Sequence, residues 1–173
     1  MVDVTSFRGK YFPLTNFYNP CPIKIGKYTV ATSEHVFKLL GIRSPKLNQV
    51  WVDKIVATPH PEEAKSLGRR APLRDNWATF LSMYAMVYTV GIKLDQHPKV
   101  FDLVKSINGL IVEGNWWHDN RYGSCICDKC KLVFPHGGMN ILGIIHMSYR
   151  DGIYDPVETP KKIEPLFSDF FSE

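Results

Sequence analysis

The segment Glu113-Gly-Asn-Trp-Trp-His-Asp-Asn-Arg-Tyr-Gly123 gathers carboxylates, amides and aromatic rings where neither helical nor strand periodicity is present. Irregular backbone of this kind commonly carries a site. Trp116, Trp117 and Tyr122 offer faces for stacking on a base or a nicotinamide-like ring. Glu113, Asn115 and Asp119 offer hydrogen bonds to ribose hydroxyls, or an acid or base. The same aromatics would serve equally well to pin a loop to a core.

Three smaller features carry chemistry of their own. Glu34 and Lys38 stand one helical turn apart, a spacing that most often means a surface ion pair worth a few tenths of a kcal/mol. Cys125-x-Cys127-x-x-Cys130 is compact enough for thiolates around one tetrahedral zinc, with His136 or His118 as fourth ligand, or for three reduced thiols that pack a turn. Gly137-Gly-Met-Asn140 ahead of a helix resembles a phosphate-cradling turn, because free amides at a helix start attract anions, but it has no Walker lysine.

These residues need elements to hold them. The Pro-, Gly- and aromatic-rich stretch from Ser6 to Val30, with a turn signal at Ile25-Gly26-Lys27, predicts an N-terminal hairpin. Thr32-Ser33-Glu34 predicts a helix start that places Glu34 in the first turn, where the helix dipole favours an anion. Further helices are predicted over Leu47 to Ala57, Pro61 to Leu67, Asn76 to Ile92 (the longest), Pro98 to Ile107 and Asn140 to Tyr149, with a short strand over Leu110 to Glu113. Few strands, not interleaved with helices, exclude a doubly wound parallel sheet and predict a helix-rich α+β domain over 1–155. A peripheral tail is expected over 156–173.

Composition sets the outer limits. A chain of 173 residues with 45% hydrophobic and 22% charged residues is that of one globular domain. No apolar run reaches the roughly 20 residues of a membrane span, and Met1 to Arg8 lacks a secretory pattern, so a cytoplasmic or nuclear location is expected. A net charge of +4 suits phosphate-bearing ligands without marking a dedicated nucleic-acid binder. Cys21 alone and three crowded cysteines do not form a secreted disulfide framework, so all four are read as reduced.

Taken in order, the motifs resemble the NADAR (YbiA-like) family from about Phe7 to Arg150. Leu14-Thr-Asn-Phe-Tyr18 is similar to the family's Leu-Ser-Asn-Phe-Tyr, and Thr32-Ser-Glu-His-Val-Phe37 to its Ser-x-Glu-His-x-Phe. Ala57-Thr-Pro59 with Glu63-Ala-Lys-Ser-Leu-Gly-Arg69, then Arg74-Asp-Asn-Trp77 and Lys93-Leu-Asp-Gln-His-Pro98, resemble its middle motifs. Trp117-His-Asp-Asn-Arg-Tyr-Gly123 and Gly138-Met-Asn-Ile-Leu-Gly143, with Met147 and Arg150, resemble the closing ones. Asn76, Tyr122 and Gly41 depart from the usual Asp, Trp and Lys.

The resemblance implies a YbiA-like fold and N-glycosidase chemistry that needs no redox cofactor. Its substrates would be ADP-ribosylated guanine in nucleic acid or phosphorylated intermediates of riboflavin synthesis. It implies Glu34 and Asp119 as carboxylates at a developing oxocarbenium ion, with Lys38 or Lys93 as the amine of an imine mechanism. Asn16, Phe17, Arg74, Trp77, Lys93, Trp117, Tyr122, Asn140 and Arg150 would then bind substrate. Two other readings use the same residues: a non-catalytic module that binds ADP-ribose, and an adaptor built around zinc.

Overall fold

The computed structural model describes residues 2–172. They form two units, each assembled from segments distant in sequence: 16–97 with 155–172, and 2–15 with 98–154.

In the first unit the expected hairpin is present, with strand β1 (Ile23–Ile25) antiparallel to β2 (Tyr28–Val30) around Gly26, whose φ is +54°. Helices α1 (Ser33–Gly41), α2 (Gln49–Ala57) and α3 (Pro61–Arg70) follow within two residues of their predicted starts. α1 packs against both α3 and the long α4 (Ser82–Gln96), and every residue of α1 except Lys38 is buried. An amphipathic helix would bury a single stripe. α1 is instead a central helix, and so its polar residues Glu34 and His35 are carried inside.

The long helix has an unexpected entry. Asn76 adopts a left-handed φ of +58°, a single π turn spans Trp77–Leu81, and α4 then runs regularly. Asparagine enters this region of backbone space several-fold more readily than most residues, which is a physical reason for an amide at this position.

The segment expected to be peripheral is not. α8 (Glu158–Ile163), a 3₁₀ turn over Glu164–Phe167 and α9 (Ser168–Phe171) belong to this unit; α8 packs on α4 and Phe167 is fully buried. The apolar residues Ile163, Phe167 and Phe170, spaced four and three apart, form one helical face within the charged composition.

In the second unit α5 (Pro98–Ser106) packs against α7 (Ile141–Arg150) and the 3₁₀ turn Gly9–Leu14. The strand expected over Leu110 to Glu113 reduces to one bridge, Ile111 beside Val4, because Val4 takes the backbone bonds of both Leu110 and Val112. The regular pairing lies just beyond, between two short parallel strands, β3 (Gly114–Asn115) and β4 (Ser124–Cys125). Helix α6 (Asp128–Val133), which was not foreseen, follows β4.

Candidate functional site

Glu34 is 5% exposed, and its Oε1 lies 3.3 Å from Lys38 Nζ. The spacing suggested a surface pair; the structure buries it, and that raises the cost of disturbing either partner. The backbone amide of Glu34, one of the orphan donors at the start of α1, is satisfied by the carbonyl of Asn16 at 3.0 Å. Thr32 does not cap the helix as expected. Its hydroxyl lies 2.8 Å from His35 Nδ1, while His35 Nε2 is 2.9 Å from the carbonyl oxygen of Thr58. A carbonyl only accepts, so Nε2 carries the proton and Nδ1 accepts from Thr32. Burial pushes the His35 pKa down and so favours that neutral form. This relay fixes the turn of α1 that carries Glu34.

Two buried polar atoms on the residues that flank Glu34 in the chain and at its backbone amide have no partner among the described residues: Ser33 Oγ and Asn16 Oδ1, on residues 1% and 7% exposed. The Asn16 amide nitrogen donates to the weak acceptor Met86 Sδ, at 3.2 Å. Buried polar groups left without partners in a folded chain are uncommon and call for a reason. Lys38 keeps its place through Gly68 on α3: a Cβ there would fall 2.5 Å from Lys38 Cδ. Gly68 belongs to the Leu-Gly-Arg stretch, the signal by which it could have been found.

Trp77 packs its ring 5.2 Å from that of Phe37 and over Gly41, where a Cβ would stand 3.0 Å from the indole. In this chain the indole stands over Gly41, so a side chain there would need it to shift. Phe17 is half-buried beneath the Lys65 ammonium at 5.2 Å. Arg74 is engaged structurally, donating from Nε to the carbonyl of Leu40 at 2.7 Å and placing a guanidinium nitrogen 2.7 Å from Asp169. Lys93 is 0% exposed, and burial pushes its pKa down to about 8, opposed by the nearby Cys21. A cleft of about 350 Å³ lined by Tyr28, Gln49 and Phe171 contains none of the candidate residues.

In the other unit the loop between β3 and β4 closes on itself. Asp119 Oδ1 accepts from the amides of Arg121 and Tyr122, both at 3.0 Å, and the Asn115 amide group spans the Asp119 backbone on both sides. Asp119 therefore shapes the turn with one of its oxygens. Trp117 is 59% exposed, whereas Tyr122 is half-buried with the Arg121 guanidinium 5.6 Å from its ring centre.

The phosphate-cradling turn is corrected by the structure. The amides of Met139, Asn140, Ile141 and Leu142, the donors an anion would use, already bond the carbonyls of Asn120, Gly123, Arg121 and Tyr122. Asn140 and Arg150 likewise hold backbone. Asn140 accepts from Glu113 N at 3.0 Å and donates to Ile111 O at 2.9 Å; Arg150 donates to the carbonyls of Ile107 and Gly109. Asn140→Ala should lower stability by about 2 kcal/mol, on the order of two backbone-directed bonds. Chemical denaturation checks it, and an unchanged midpoint would return Asn140 to the binding residues.

The same loop carries His118 at a φ of +65°, and its ring stands among the three crowded cysteines. The Nδ1 of His118 and the sulfurs of Cys125, Cys127 and Cys130 all lie within 4.8 Å of one another. His136 is exposed and outside this group.

No family model and no curated protein matches the chain. The NMR structure of the E. coli protein YbiA does, with a TM-score of 0.68 and 26% identity over 95% of this chain and 86% of that one. The chain thus has the YbiA-like (NADAR) fold that the order of its motifs implied, a helix-rich α+β architecture with a small hairpin. Among the described residues, no helix is long and apolar enough to cross a membrane.

Proposed function

We propose that this chain of YbiA-like fold is an N-glycosidase that hydrolyses a C1′–N ribosyl bond, with ADP-ribosylated guanine in DNA as its substrate. The observation that carries the reading is the largely buried Glu34–Lys38 pair, with Ser33 next to Glu34 in the chain and Asn16 bonded to its backbone amide, whose Oγ and Oδ1 have no partner among the described residues. A ribose hydroxyl is the complementary donor for both oxygens. As the C1′–N bond breaks, positive charge grows on the sugar, and a fixed carboxylate stabilises it with no reorganisation at the moment of reaction. Glu34 then takes a proton from the attacking water, and the released base takes one on nitrogen, so that water is divided between sugar and base. Net positive charge on the chain and the half-buried Phe17 and Trp77 rings suit a phosphorylated nucleotide.

The 3.3 Å contact also supports a second route to the same products. Glu34 accepts a proton from Lys38, the neutral amine attacks C1′ of the ring-opened sugar, the base leaves, and water hydrolyses the imine. Borohydride added during turnover would fix that intermediate on Lys38, whereas the direct route leaves the protein mass unchanged.

The test is incubation with ADP-ribosylated guanine DNA, free ADP-ribosyl compounds and pyrimidine ribosyl-phosphates, with products identified by mass. Release of ADP-ribose and restored guanine is expected. Release from the pyrimidine compounds alone would move the assignment to phosphorylated riboflavin-pathway intermediates. Tight binding of ADP-ribose without turnover of any of them would make the chain a binding module.

A further inference from the structure

We propose that His118, Cys125, Cys127 and Cys130 bind one zinc ion that clasps the loop between β3 and β4. Tetrahedral zinc with Zn–S near 2.3 Å and Zn–N near 2.0–2.1 Å sets its ligand atoms about 3.5–3.8 Å apart. His118 Nδ1 lies 3.3 Å from Cys130 Sγ, 3.4 Å from Cys127 Sγ and 3.9 Å from Cys125 Sγ. Three of the six separations are thus already close to those around a tetrahedral ion, the sulfur–sulfur ones lie within 4.8 Å, and no disulfide joins the thiols. Three protein thiolates and an imidazole fill the coordination sphere, as structural rather than catalytic sites do.

The surroundings support thiolates. Asn120 Nδ2 donates to Cys130 Sγ at 3.1 Å while its Oδ1 accepts from Cys125 N at 2.9 Å, and the amide of Cys130 donates to Cys127 Sγ at 3.4 Å. Donors of this kind orient ligands and share in metal affinity. Lys129 and Lys131 flank Cys130, opposite in sign to the single negative charge that three thiolates and a dication leave. Asp119 sits between the ligand His118 and Asn120, so the ion would fix the loop that carries Trp117 and Asp119. The metal site stands whatever the chain's substrate is.

The test uses the full chain purified under reducing conditions. Elemental analysis should find about one zinc per chain, and titration of the thiols with a mercurial should release it in step with the third equivalent. Cobalt exchanged for zinc should give the thiolate charge-transfer and intense visible bands of a tetrahedral site. Cys127→Ser, at a half-exposed position, should lose most of the metal, and hydrogen exchange at residues 116–122 should quicken in the stripped wild type. Protein that takes up neither zinc nor cobalt while all its thiols react, or cobalt bound without thiolate bands, overturns the proposal.

Discussion

Glu34→Gln is expected to reduce turnover by at least about a hundredfold, the usual scale for a catalytic acid or base. The amide matches the carboxylate in shape, so the packing of α1 is kept, but it can neither take a proton nor oppose charge at C1′. Both routes from the Glu34–Lys38 pair need the carboxylate, so both predict the loss. Glu62→Gln, exposed on α3, is the control for surface charge and should leave turnover unchanged. Because the change leaves the Lys38 ammonium without its partner in a mostly buried place, the melting temperature must be measured alongside. If Glu34→Gln destabilises the chain, Gly68→Ala offers a second probe, since its Cβ displaces the Lys38 side chain and leaves Glu34 itself untouched. Near-wild-type turnover of folded Glu34→Gln protein would remove Glu34 from the chemistry. Unchanged turnover with weakened binding would make it a binding residue.

What the sequence could convey depended on how local the physics was. The hairpin and the helices through α5, with α7, were legible because periodicity and turn residues are short-range properties. Burial of Glu34 was not, because a Glu–Lys spacing of four is the same on a solvated face as in a core. Only the packing of α1 against both α3 and α4 tells them apart. The C-terminal helices were obscured by composition: Pro, Glu and Lys dominate the segment, while three apolar residues at helical spacing decide where it goes.

The site was legible as a set of residues and less so as a set of roles. Asn140, Arg150 and the amides opening α7 came from stretches that read as ligand-binding, and the structure spends them on backbone carbonyls and amides of the chain itself. A loop without secondary structure must satisfy its polar groups somewhere, and here the start of α7 does so. Conversely, three cysteines suggested a metal, but two histidines competed as the fourth ligand. The fold decides between them, since the His118 ring lies among the thiols and His136 is outside the group.

Lys93→Met is expected to change the pH dependence of stability more than any surface substitution. Burial lowers the Lys93 pKa from its ordinary value of 10.5 to about 8. At neutral pH the native chain therefore carries a charge it would rather lose, a penalty of about 3 kcal/mol at 1.36 kcal/mol per unit. The folded pKa lies below the unfolded one, so between about pH 8 and 10.5 the unfolded chain binds more protons and stability rises with pH; the gain is lost as pH falls through about 8. Methionine fills a similar volume without the ammonium. Lys93→Met should match or exceed the wild type at pH 7 in chemical denaturation, and the difference between them should shrink by about 3 kcal/mol as pH approaches 10. Parallel curves across that range would show that folding leaves the Lys93 pKa where it is in the unfolded chain. The same variant tests the imine route. A lowered pKa supplies the neutral amine such a nucleophile needs, yet an amine with 0% exposure offers a sugar no approach. Turnover should therefore survive Lys93→Met, and its loss in a folded, stable variant would move the nucleophile from Lys38 to Lys93.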